Sequence, residues 1–167
     1  DDGAGYRVTT VSPPLLASTE DYFRPVDVEM GPDGAIYVLD WHNALIGHMQ
    51  YNFRDPRRDH GHGRVWRITA KDRGLVEKPV IGGASIEALL ENLKSAEDFT
   101  RHKSRRELYD RDSQAVADAL AVWVAGLDEN EGNYELSRLE ALWTYQSIDV
   151  VVPELLRLVL RAEEPKA

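Results

Sequence analysis

The chain has 167 residues, 43% of them hydrophobic and 29% charged, and 29 acidic against 20 basic side chains give a net charge of −9. This is the composition of a globular chain with room for one domain or two small ones, and its acidity argues against general binding to nucleic acid. There is no cysteine, which excludes disulfides, thiolate metal sites and a CxxCH haem attachment within these residues. No apolar run is long enough to cross a bilayer, and no signal-peptide pattern stands at Asp1.

In chain order, Tyr6–Val11 is a short β-prone run that ends at Ser12-Pro13-Pro14, where two prolines cannot donate to a ladder. The chain opens inside this apparent strand without an initiator methionine, and it reads as a piece of a longer protein. Val26–Met30 and Ala35–Leu39 are alternating apolar runs on either side of Gly31-Pro32-Asp33-Gly34. Proline presets one backbone angle and glycine accepts a positive one, so this stretch predicts a hairpin. The second run ends at Asp40-Trp41. A long loop then holds four of the five histidines, and Arg64–Thr69 predicts a third strand. Residues 71–84 are charged and contain Gly74, Pro79 and Gly82-Gly83, the composition of a linker.

From Ser85 the hydrophobic period changes from two to about 3.6. Five helices are predicted. The first carries Ile86, Leu89, Leu90 and Leu93 on one face; the second is capped by Ser95 and runs to about Asp110. The third, capped by Ser113, carries Val116, Leu120, Trp123, Val124 and Leu127. The fourth starts at Asn133 with Leu136, Leu139, Leu142 and Trp143 inward. The fifth is capped by Asp149, with Pro153 tolerated in its first turn.

His48, His60 and His62 share a polar segment with Asp55 and Asp59. Imidazole beside carboxylate can bind a divalent metal, move protons, or simply tie a long loop to its strands. Asp59 can also pair with Arg57, Arg58 or Arg64. The run from Arg54 to Asp59 alternates in sign, which fits a surface ion-pair network or a guanidinium presented to an anion. Arg101, His102, Lys103, Arg105, Arg106 and Arg111 lie in the helical region, where a solvated face or a contact with an acidic partner accounts for them. Trp123 and Trp143 fall on apolar stripes. No Gly-rich phosphate loop, GxSxG elbow or HExxH is present, so a nucleotide-binding or hydrolase reading has no anchor.

The runs RPVDVEMGPDGAIYVLDWHN, IGHMQ, RDPRRDH and HGRVWRIT resemble the planctomycete-type membrane-bound dehydrogenases. Ala44 departs from the proline expected of that family, which touches only the stiffness of the loop. The resemblance implies a segregated α+β chain, in which a β-propeller blade segment is followed by an α-solenoid of HEAT-like helices. Residues 1–22 would end a preceding blade, 23–70 form the last blade with its histidine-rich loop, 71–84 link, and 85–167 form the HEAT-like repeats. It implies an exported, periplasmic oxidoreductase that acts on a sugar or alcohol and passes electrons to a c-type haem domain outside this chain. Relatives of that kind use pyrroloquinoline quinone with calcium. No residue here matches a quinone or calcium site, so no cofactor and no metal are expected within the chain.

The partners implied are the rest of the parent polypeptide, namely other blades, further HEAT-like repeats and the haem domain. Neither nucleic acid nor direct membrane insertion is expected. On this reading His48, His60 and His62 form the catalytic wall, and Arg54, Asp59 and Arg64 hold substrate or an anionic group. Asp40 and Trp41 are structural, the carboxylate bonding turn amides and the indole packing between blades. The alternative is a non-catalytic scaffold for protein binding, since folds of both kinds serve as one. The chain alone is expected to be inactive.

Overall fold

The computed structural model describes residues 5, 7–45 and 54–163, and these divide into a sheet unit, Thr9–Lys78, and a helical unit made of the residues from Pro79 on together with those before Thr9. The sheet unit holds three antiparallel strands in the order β1 (Pro25–Met30), β2 (Ile36–Asp40) and β3 (Arg64–Ile68). Val28 faces Val38 and Met30 faces Ile36 across the hairpin, and the register shifts between Pro25 and Asp27. Val38 in turn faces Trp66, and Asp40 faces Arg64. One face of the sheet is therefore largely apolar and ends in an acid–base pair. The other carries Glu29, Tyr37 and Arg67.

The turn explains its own residues. Gly31 and Ala35 close the hairpin through an amide-to-carbonyl bond of 2.8 Å, and Asp33 accepts the Ala35 amide at 3.2 Å. Gly34 adopts φ +74, which disfavours any L side chain, and a Cβ there would lie 2.7 Å from the Val76 side chain. Val76 reaches this spot because its amide bonds the Asp33 carbonyl at 2.9 Å. The start of the charged, linker-like stretch thus lies back on the hairpin turn.

The helical unit contains α1 (Ile86–Asn92), α2 (Asp98–Tyr109), α3 (Ser113–Ala125), α4 (Tyr134–Ser147) and α5 (Pro153–Val159). Ser85 caps α1 by accepting the Ala88 amide, and Asp112, one residue ahead of the expected Ser113, caps α3 through Ala115. Ser95 accepts the Glu97 amide before α2 begins, and Asn133 gives its side-chain amide to the Lys94 carbonyl instead of capping α4. Asp149 lies at φ 57 ahead of α5, which opens on Pro153. Leu89, Leu90, Leu93, Leu108, Val116, Leu120, Leu139 and Leu155 form one buried cluster. Helix α1 packs on α2 and α3, α4 on α2, α3 and α5.

This architecture corrects the expected fold class. A propeller blade normally has four strands repeated about a channel. Here the sheet has three strands, and residues 7–11, expected as an outer strand, have no regular structure. An α-solenoid needs at least three stacked repeats. Five helices of uneven length, gathered on a single buried cluster, supply two pairs and a short fifth helix. Among the described residues the chain is a small antiparallel sheet followed by a helical unit, and neither a propeller nor a solenoid is formed. Among the described residues no helix is long and apolar enough to cross a membrane.

Leu120 is wholly buried at the centre of the helical core, whereas Val122, two residues on, is 75% exposed. Leu120→Ala should cost the helical unit about 2–5 kcal/mol through lost transfer energy and a residual cavity. Val122→Ala should change it by less than about 0.5 kcal/mol. Chemical denaturation of both variants followed by circular dichroism at 222 nm checks the helix register.

Candidate functional site

Position along β2 decides what Asp40 can do. It is the last residue of the central strand, so its side chain meets the segments entering β1 and leaving β2 as well as β3. The fully buried carboxylate accepts four hydrogen bonds. Oδ1 takes the backbone amides of Arg24 at 2.8 Å and His42 at 2.9 Å. Oδ2 takes Arg64 Nε at 2.8 Å and the Trp66 indole at 3.0 Å. Burial alone would raise the Asp40 pKa, but the Arg24 amide, the Trp66 indole, the His42 amide and the Arg64 charge together lower it to about 2. At the opposite end of the sheet, Asp33 behaves likewise. Its burial is outweighed by Arg67, the Ala35 amide and the Tyr37 hydroxyl, and its pKa also falls to about 2.

The bond from Asp40 to its amide fixes His42 in a left-handed conformation, φ 54. From there the imidazole stacks near Tyr22, with ring centroids 5.1 Å apart, and brings Nε2 to 3.4 Å from Asp59 Oδ2. Asp59 serves two purposes. Its Oδ1 accepts the amides of Gly61 at 2.9 Å and His62 at 3.1 Å, which closes the loop turn. Both of its oxygens also hold His62 Nδ1, at 3.0 and 2.9 Å. The His42 and His62 rings meet edge to face at 6.4 Å. The Gly61 amide and then the His62 ring lower the Asp59 pKa, so the carboxylate stays ionised between two imidazoles.

This arrangement has the parts of an acid–base dyad. A carboxylate on Nδ1 fixes the ring and selects the tautomer with the proton on that nitrogen, which leaves a lone pair on Nε2. The His62 side chain is 77% exposed and can meet a substrate. Among the described residues no group of three or more His, Cys, Asp or Glu is arranged to hold a metal.

The expected site residues separate on inspection. His62 and Asp59 come together. His60 is exposed and stays out of the cluster, and His48 lies outside the described residues. Arg64 is committed to Asp40 and Glu20, so its guanidinium is a structural tie. Arg57 grips Asp55 with two nitrogens and does not reach Asp59, while Arg54 is exposed at the start of the loop segment. Trp41 is 47% exposed, and the indole that bonds Asp40 belongs to Trp66. The register accounts for this bond. Trp66 shares a sheet face with Asp40, whereas Trp41 emerges past the end of β2. Sequence reasoning passed over His42, Tyr22 and Arg67. The only signal for His42 was its place two residues after a strand-ending aspartate.

A family described as a domain of unknown function (DUF7133) matches residues 2–72, fewer than half of the chain. No curated protein and no solved structure matches.

The two carboxyls at about 2 bind protons less readily than in the unfolded chain, where aspartate titrates near pH 4. Their stabilisation is thus complete above about pH 4 and lost as the pH falls toward about 2. Acid titration followed by Trp66 fluorescence should show the sheet unit opening in that window. Asp40→Ala, which strands the Arg64 and Trp66 donors, should cost about 3–5 kcal/mol at pH 7 in chemical denaturation.

Proposed function

We propose that this chain supplies an acid–base dyad, His62 held by Asp59, to an oxidoreductase that dehydrogenates a sugar or related alcohol. The observation that carries the role is the clamp of both Asp59 oxygens on His62 Nδ1, with the rest of that imidazole exposed. Oxidising an alcohol requires a group to take the hydroxyl proton while the carbon gives up its hydrogen and two electrons. A fixed imidazole with a bare Nε2 is suited to the first task. The two-electron acceptor is provided elsewhere in the complete protein. The reaction class itself is supported by the resemblance to the planctomycete-type dehydrogenases, and with it an exported location. His42 supports the dyad from the other side of Asp59, and Tyr22 packs against His42.

A non-catalytic binding module is the second reading. It is favoured by the two amides that Asp59 also accepts, because a carboxylate needed to close a turn has a reason to be there without any chemistry.

Dye reduction by the full-length protein across sugars and alcohols separates the two. His62→Gln should lower kcat by about 100-fold or more and flatten the acid limb of the pH–rate profile, with the melting temperature unchanged. His60→Gln should leave turnover within about threefold of the parent protein. Equal losses of stability and activity in His62→Gln, or no reduction with any substrate, would favour the binding module.

A further inference from the structure

The basic run of α2 meets α4 along a cleft of about 270 Å³, lined chiefly by Arg101, His102, Arg105, Leu136, Glu140 and Trp143. We propose that this cleft binds a carboxylate borne on an apolar or aromatic group. The site is separate from the Asp59 cluster and does not depend on the function proposed for it.

The floor of the cleft is a buried ion network. Glu140, 2% exposed, receives Arg101 Nε at 3.0 Å on one oxygen and Arg105 Nη1 on the other. Arg101 has all three of its guanidinium nitrogens engaged within the protein. Its Nη1 serves the Ser95 and Ala96 carbonyls at 2.7 and 2.9 Å, and its Nη2 serves Asp98. Arg105 differs. Among the described residues it uses only Nη1, which leaves Nε and Nη2, the parallel edge of the fork that grips a carboxylate with two bonds. The guanidinium lies 4.8 Å from the centre of the Trp143 ring, which holds its plane in place at the edge of the cleft.

The charge balance favours an anion. The two carboxylates that face the cleft, Glu140 and Asp98, are already engaged by arginines. Lys103 and Arg106 add positive charge from the same helix. The His102 pKa is lowered by burial and then by Arg105, Lys103 and Arg106, with Glu140 opposing, so the field at the rim remains positive. Leu136 and Trp143 give the cleft an apolar wall, which suits the hydrocarbon part of the ligand.

The test titrates the 167-residue chain with benzoate and with benzamide, its neutral isostere. The Trp143 indole N–H and the His102 ring are followed by NMR. A third titration uses a short peptide with Glu beside Phe. Benzoate should shift both signals saturably and raise the His102 pKa, and benzamide should bind at least about tenfold more weakly. Arg105→Lys keeps the charge but loses the fork, and should weaken benzoate by at least about tenfold. Tighter binding of the peptide than of benzoate would assign the carboxylate to a protein partner, and the reverse to a free acid. Equal binding of benzoate and benzamide, or no movement of either signal with benzoate and with peptide, would overturn the proposal. That comparison stands on the unmodified chain even if the arginine variant is unstable.

Discussion

One buried carboxylate fixes the geometry of the sheet unit. Asp40 ends the central strand and receives four hydrogen bonds from three separate stretches of chain. An ionised group in such a place is tolerated only when every oxygen is satisfied, and its neighbours are held in turn by the need to satisfy it. Arg24 and Trp41 are further joined by a backbone bond of 2.9 Å beside it. Loss of this hub would free the start of β1, the end of β2 and the Trp66 indole at once.

The candidate site is built outward from that hub. Asp40 holds the His42 amide in a strained backbone region, His42 reaches Asp59, and Asp59 closes the turn that presents His62. The same carboxylate that shapes the loop also orients the exposed imidazole, so shape and chemistry share one residue. This is why a stability readout has to accompany any activity readout at Asp59. His62 is the better place to separate them, since the turn uses its backbone amide and the proposed chemistry uses its ring.

Much of the local structure was legible. The alternation of Val26–Met30 and Ala35–Leu39 placed two strands to within a residue, and the change of period after Gly83 placed five helices. The arrangement of these elements was not. Periodicity reports which face of an element is buried but not how many neighbours share it, so a hairpin with a third strand and a row of paired helices suited a propeller and a solenoid without requiring them, and those expectations leaned on the resemblance. The cap of α3 fell one residue early because Asp112 and Ser113 compete there, while α5 follows Val152 with no side-chain cap, three residues beyond Asp149. In the site, the pairing of Asp59 with His62 follows from a spacing of three residues in a turn. The bond from the Trp66 indole to Asp40 needed the strand register, which no local pattern reveals.

The tautomer of His62 tests the central claim most directly. Correlation of the ring nitrogens with the ring protons in a ¹⁵N-labelled sample, above the pH at which the ring protonates, shows which nitrogen carries the proton. A ring clamped by Asp59 should carry it on Nδ1, with Nε2 bare, and Asp59→Asn should erase that preference. A proton found mainly on Nε2, or a preference indifferent to Asp59→Asn, would contradict the dyad and leave Asp59 as a turn-closing residue alone.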